Sequence, residues 1–250
     1  MMLAPRLAVL LAAGLGTRLG GKPKPLLRVA GRPLAWYPLS VLHLAGAREA
    51  CIVTRSEIAD ELRGLASSIY GGGSVTVVVN PEPERENGYS LLLAATECPL
   101  LVSEPAYVSM TDHIYSPLIP VRAGYSVQTG YYMIAGDSEP CCIDIDEATF
   151  VKAVLPRGYD VGKGIAWWTH VDTGVHVYAL DSSELQAVAA GEYTVKLNTI
   201  TSRLAQRGRL LVADVSCLPW TEIDTPRDLE EAERGQRRWV IRHVEEWLRS

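Results

Sequence analysis

Six apolar residues, Leu7-Ala8-Val9-Leu10-Leu11-Ala12, run unbroken into Ala13-Gly14-Leu15-Gly16-Thr17-Arg18 and, after Lys22, into Pro23-Lys24-Pro25-Leu26-Leu27. An apolar run of this length predicts a strand buried on both faces, as in the middle of a parallel sheet. Gly14 and Gly16 free the backbone to turn tightly and to approach a ligand closely. Arg18, Lys22 and Lys24 fall within the same loop. A strand that opens into a glycine-rich loop presents backbone N–H groups to an anion, and adjacent cations complete a phosphate cradle.

Competing readings of this stretch fail on particular residues. A signal peptide would carry more charge before the apolar run than Arg6 alone, a longer run, and a small-residue cleavage site where glycines and lysines stand here. Gly16 to Lys22 has P-loop spacing, but Pro23 stands where a magnesium-binding Ser or Thr belongs, and Pro23 and Pro25 oppose the helix that must follow. The dinucleotide pattern fails because Leu19 occupies the third glycine position.

Ala-Ala-Gly-x-Gly-Thr-Arg followed closely by Pro-Lys-Pro-Leu resembles the nucleotide-binding loop of the sugar-phosphate nucleotidyltransferases. Those enzymes join a nucleoside triphosphate to a phosphorylated sugar or alcohol and release pyrophosphate. The resemblance implies that Ala12, Ala13, Gly14, Gly16 and Thr17 bind nucleotide and that Arg18 holds its β and γ phosphates. Lys24 would bridge the α-phosphate and the incoming phosphate.

Charge is distributed in keeping with a polyanionic ligand. Seven basic side chains and no carboxylate precede Glu49, whereas the remaining chain carries 17 basic and 29 acidic residues. A basic lobe on an acidic protein suits a compact polyanion such as a triphosphate, while the net charge of −5 argues against a nucleic-acid partner. No apolar run approaches the ~18 residues of a membrane span, so a cytoplasmic protein is expected. The five cysteines, including the adjacent Cys141-Cys142 pair, lack C-x-x-C spacing and read as reduced core thiols. Few Asn and Gln and a single Phe lean toward a hot habitat.

Alternating patterns then predict a helix over 34–45 started by Pro33, a strand over 50–54, a helix over 58–67 closed by Gly71-Gly72-Gly73, and a strand over 75–79. Strand and helix alternating at this pitch imply βαβ units. The fold expected is α/β: a Rossmann-like, mainly parallel sheet flanked by helices. Alternating stretches at 125–133, 142–146 and 171–178 predict antiparallel strands in a small acceptor-binding lobe, about residues 124–180 of a single domain.

Ligands of such sheets lie beyond the carboxyl ends of the strands. After the strand at 75–79, Asn87 or Ser90 is expected to cap a helix that runs to Cys98. Asn87-Gly88 reads as an ordinary turn or as a nucleobase site, with Gly88 bare against the ring and Asn80, Asn87 or Ser90 reading its edge. Asp112, after a strand at 106–110, is the leading ligand for Mg²⁺, which takes hard oxygen donors; His113 reads as a packing or hydrogen-bonding group. Asp-His-Ile-Tyr-Ser at 112–116 resembles the inositol-1-phosphate cytidylyltransferases, in which an aspartate at this point holds magnesium.

Asp144, Asp146 and Glu147 read as a second carboxylate cluster or as a solvated face paired with Lys152. The resemblance implies that Lys163, between Gly162 and Gly164, and the Asp172-Thr173-Gly174 turn grip the acceptor, with Asp144 nearby. Thr225, Pro226 and Asp228 read as a helix start, which leaves Asp224 free just outside it. Trp-x-x-Ile-Asp-Thr-Pro-x-Asp-Leu at 220–229 resembles the end of the family's catalytic domain, whose aspartate completes the metal site. A last helix carries Leu229, Ala232, Trp239, Val240, Val244, Trp247 and Leu248 toward the core, a second subunit of a homodimer, or a membrane surface.

The resemblance implies transfer of a cytidylyl group from CTP to inositol 1-phosphate by in-line attack, with Mg²⁺ and without a general base. Another triphosphate and sugar phosphate, or a catalytically silent nucleotide-sensing homologue, are the alternatives. In some proteins resembling this one a membrane-embedded phosphotransferase domain follows; this chain would run the first step and leave the second to a separate protein.

Overall fold

β1 (Leu7–Ala12) is buried along its whole length. A loop and a short hairpin of β2 (Arg28–Val29) and β3 (Arg32–Pro33) lead to α1 (Trp36–Leu44) and β4 (Glu49–Thr54). Next come α2 (Ala59–Tyr70), β5 (Val75–Val79), α3 (Glu86–Glu97), β6 (Ala106–Met110) and β7 (His113–Tyr115). The second half holds α4 (Leu118–Ser126), β8 (Tyr131–Asp137), β9 (Phe150–Val154), β10 (Arg157–Gly162) and β11 (His170–Ala179). It ends with α5 (Ser182–Ala189), α6 (Leu197–Gln206), β12 (Leu210–Asp214), β13 (Trp220–Glu222), α7 (Pro226–Glu233) and α8 (Arg238–Arg249). This computed structural model describes residues 4–98, 101 and 104–249.

Among the described residues one nine-stranded sheet runs in the order β5-β4-β1-β6-β11-β8-β12-β10-β9. The first four strands are mutually parallel. β11 is antiparallel to both β6 and β8, and β12 is parallel to β8. Side-chain alternation along β1 feeds both faces. Ala8, Leu10 and Ala12 join one core with Leu34, Leu39 and Ile241, while Leu7, Val9 and Leu11 join another with Leu91, Ala94 and Ile200. Each fully buried Leu or Val contributes on the order of 1.5–3 kcal/mol, so helices on both faces hold β1 in place.

The α/β architecture and mixed sheet match the sequence reading; several boundaries do not. The strands of the second half extend the parallel sheet edge to edge. Residues 125 and 126 finish α4, and the predicted strand over 142–146 is replaced by loop and by a 3-10 turn at Ile145–Glu147. Pro33 lies in the hairpin, so α1 begins at Trp36. The last helix is two: Gly235 follows α7, and the Glu231 carboxylate takes the Gln236 N–H that would continue the ladder. In α8, Val240, Ile241 and Val244 face the core, while Trp239 and Trp247 stay partly exposed. No described helix is long and apolar enough to cross a membrane.

The cysteines require a correction. Cys51 on β4 and Cys98 at the end of α3 form a disulfide across 47 residues, and Cys141 and Cys217 are exposed, so reduced core thiols describes only Cys142. The bridge ties the sheet to a helix and shrinks the unfolded ensemble, by about 3–4 kcal/mol for a loop this long. The double variant Cys51→Ala/Cys98→Ala is expected to lose that stability in denaturant melts of the non-reduced protein.

Candidate active site

Three distant parts of the chain meet at one ammonium. Lys24 begins a 3-10 turn behind Pro23. Its Nζ donates to Asp112 Oδ2 at 2.9 Å and to Asp224 Oδ1. The two carboxylates converge because the strands beside them pair: β7 and β13 form an antiparallel ribbon with His113 opposite Glu222. Ile223 N–H donates to the Asp112 carbonyl at 2.8 Å, which fixes the chain on either side of both aspartates. The α7 cap expected at Thr225 is present, and the Asp228 carboxylate also accepts from the Thr225 N–H. Asp224 therefore remains outside the helix and turned to Lys24.

The charges are strongly coupled. Burial pulls the Lys24 ammonium down, but Asp112 and Asp224 outweigh it and hold its pKa well above the usual lysine value. Burial pushes Asp112 up, yet Lys24 and His113 keep its carboxyl well below the ordinary range. His113 Nδ1 lies 2.6 Å from Asp112 Oδ1 and its Nε2 3.7 Å from Glu222 Oε2. Burial lowers the imidazole pKa, and Asp112 with Glu222 more than reverses this, to about 9. Desolvation lifts Glu222 to about 7 against the opposing His113 charge, with Asp224 and Asp112 adding repulsion.

The ring of His113 is seated by its neighbours. It stacks on Trp220 with 9° between planes and centroids 6.1 Å apart. On another side Gly174 is bare, and a Cβ there would stand 2.4 Å from the imidazole. Gly174 lies inside β11, at a register shift between Asp172 and His176, with φ +73°. Asp172-Thr173-Gly174 is thus an irregularity within a strand rather than a free turn.

A crevice of about 130 Å³ opens beside these groups, lined by Asp112, Asp224, Glu222, Asp172, Lys163 and Glu147. Glu147 Oε2 accepts from Lys163 Nζ at 2.9 Å and from Arg18 Nη1 at 3.2 Å. Arg18 also lies 3.9 Å from Asp224. Asp172 lines the crevice, with both carboxylate oxygens 2.9 Å from His176 Nε2 and one accepting from Gly174 N–H. Burial alone would raise Asp172, but His176 and that N–H hold it below the usual carboxylate value.

Other candidate residues occupy different places. Ala12 and Ala13 are buried at the end of β1, and Gly14 faces open space. Gly16 has φ +62°, and a Cβ would meet the Lys22 carbonyl at 2.6 Å, so its bareness serves the loop's own closure. Thr17 is exposed and opens a 3-10 turn. The helix α3 begins at Glu86, ahead of both proposed caps, so Asn87-Gly88 is neither a turn nor a cap.

A Cβ on Gly88 would stand 2.7 Å from the Val195 carbonyl, so the missing side chain admits protein backbone at that position. Asn87 Oδ1 accepts from Leu197 N–H, and Asn80 Nδ2 donates to Ser90 Oγ in the interior. Thr173 spends its hydroxyl on the Ala135 carbonyl. Asp144 caps the 3-10 turn by accepting from Asp146 N–H, and Glu147 supplies the carboxylate that reaches the crevice instead.

Residues 8–123 match the MobA-like NTP transferase domain. These residues carry a domain of this family, and the chain as a whole has a nucleotidyltransferase fold. It is 35% identical over 232 residues to a "Bifunctional IPC transferase and DIPP synthase" of Thermococcus kodakarensis, covering 93% of this chain and 51% of that protein. It is 27% identical to the "CMP-5'-(3-aminopropyl)phosphonate synthase" of Streptomyces rubellomurinus, over 92% of this chain and 38% of the other. The solved inositol-1-phosphate CTP transferase from T. maritima superimposes with a TM-score of 0.84 at 25% identity, covering 98% of both chains. The chain spans about half the length of the first of these relatives, the IPC transferase and DIPP synthase.

The sequence reading passed over Glu222. Its only signal was position, two residues before Asp224 and opposite His113 in the ribbon. Gly174→Ala is expected to lose about 2–4 kcal/mol in chemical denaturation, because the new methyl meets the His113 ring on a left-handed backbone. Asp172 adds a pH dependence. Its native carboxyl pKa is depressed, so its stabilisation is complete above the unfolded value near ~4 and is lost as pH falls through the native value. Urea melts of wild type and Asp172→Asn should differ most near neutral pH and converge in acid.

Proposed function

We propose that the chain joins CTP and inositol 1-phosphate, giving CDP-inositol and pyrophosphate. The observation that carries this reading is the Lys24 ammonium shared by Asp112 and Asp224 at the mouth of the strand loop. Transfer of this kind asks a protein for positioning and for neutralisation of phosphate charge. Lys163 lines the crevice as a cation, and Lys24 and Arg18 pair with the carboxylates of Asp112, Asp224 and Glu147 that line it. A phosphate monoester, with a second pKa near ~6, attacks as a dianion without a base. The names of the similar proteins, which include CTP and inositol 1-phosphate, support the choice of substrates.

Asp112 and Asp224 fit a Mg²⁺ ion as donors: both are hard carboxylates, and they already converge on one positive charge. Among the described residues no group of three or more His, Cys, Asp or Glu side chains forms a ready-made site, so phosphates and water would complete the shell. Bound there, the ion would supply Lewis-acid and template chemistry at the α-phosphate. Lys24, displaced from the carboxylates, would reach the phosphates; Arg18 would hold the outer phosphates, and Asp172 with Lys163 would orient the polyol. We place this reaction in the cytoplasm, with the product passing to a membrane phosphotransferase.

A second reading, a different acceptor, draws on the similarity to the phosphonate synthase. Pyrophosphate release over a panel of triphosphates crossed with phosphorylated polyols and phosphonates separates the two. CTP with inositol 1-phosphate is expected to be fastest. Lys24→Ala should lower that rate at least ~100-fold with an unchanged melting curve. Asp112→Asn and Asp224→Asn should each do likewise; near-wild-type rates in both would remove the metal assignment.

A further inference from the structure

We propose that Cys141 and Cys142 are a modifiable dithiol, closed to a vicinal disulfide by exchange with a small-molecule disulfide, and that closure shifts the strand presenting Asp224. The two sulfurs are 3.0 Å apart, nearer than two unbonded sulfurs ordinarily rest. Cys141 is exposed and Cys142 is 8% exposed, so one sulfur is open to a reagent and the other waits behind it. The remaining thiol, Cys217, sits on a neighbouring loop with its Sγ 3.5 Å from Glu139 Oε2.

The loop that carries the pair is fastened to the crevice at two points. Asp137, where β8 ends, accepts from the Trp220 indole N–H at 2.7 Å. The Cys142 carbonyl accepts from Thr221 Oγ1 at 2.6 Å, in the interior. Trp220 and Thr221 belong to β13, which ends at Glu222 and leads through Ile223 to Asp224. Ile143, next to the pair, lines the crevice itself. A disulfide between adjacent residues closes an eight-membered ring that contains their peptide bond. Closing it must turn the backbone whose carbonyl Thr221 holds.

The chemistry balances with an external disulfide RS–SR as the oxidant. The Cys141 thiolate attacks one sulfur, the S–S bond breaks, and one RS⁻ leaves and takes a proton from water. Cys142 then loses its proton, its sulfur attacks Cys141, the mixed disulfide breaks, and the second RS⁻ leaves. Two protein thiols give up two electrons and two protons, and RS–SR becomes two RSH. Burial pushes the Cys142 thiol up to about 12, which makes the exposed Cys141 the first attacker.

The test uses the full chain as Cys217→Ser, treated with oxidised glutathione and mapped by mass spectrometry. The peptide bearing both cysteines should be lighter by two hydrogens, carry no glutathione, and return to its starting mass with dithiothreitol. Cys142→Ser in the same background should stop at a glutathione adduct on Cys141. Amide hydrogen exchange across residues 219–224 should quicken at least ~3-fold in the closed form and be unchanged by glutathione in Cys141→Ser. A stable adduct in the two-thiol protein, a disulfide-linked dimer, or unaltered exchange in the closed form would overturn the proposal. Neither readout depends on the transfer reaction, so a failure here stands apart from a failure of the substrate assignment.

Discussion

A single ammonium answering two carboxylates organises this protein. Lys24, Asp112 and Asp224 come from the beginning, middle and end of the chain, and the fold's other devices position one or another of them. Two like charges so close would repel; the lysine makes the arrangement tolerable. Removing one member leaves the others unbalanced in a partly desolvated place, which costs stability. The same property suits a site meant for a highly charged ligand, because a strong anion and its cation can take over a balance the protein already keeps.

The support for this cluster is layered. β1 and β6 are buried parallel neighbours, so their carboxyl ends reach the same edge of the sheet. The small ribbon of β7 and β13 then brings the Asp224 segment beside Asp112. His113 is clasped between Trp220 and the bare Gly174, and through it Asp112 is oriented. Asp172 is oriented from the opposite side by His176, itself held by the Tyr132 hydroxyl at 2.8 Å. Oriented acidic groups therefore enter the crevice from two separate elements.

Much of this was legible in the residues. β5 and β6 fall where β-branched and alternating patterns placed them, and the Thr225-Pro226-x-Asp228 start of α7 announced itself by cap chemistry. Local physics sets those features, so a local window reveals them. What escaped depends on partners far along the chain. Gly88 looked like turn punctuation, but its bareness accommodates backbone at Val195, 107 positions away in sequence. The Cys51–Cys98 bridge has no spacing signature, because a strand and a helix end meet only in the folded sheet. Asn80, Asn87 and Ser90 were polar residues after a strand, and nothing nearby in sequence told that the protein itself uses their hydrogen bonds.

The strand order also has a consequence for biogenesis. β5, β4, β1 and β6 all come from the first 110 residues and lie side by side, so every strand of this half is synthesised before any strand of the other. β12 must instead insert between β8 and β10, which precede it, and the residue that completes the charge cluster emerges only at position 224. Until then Lys24 faces a single carboxylate. The nascent chain thus receives its parallel strands early and the last charge of its cluster almost at the end.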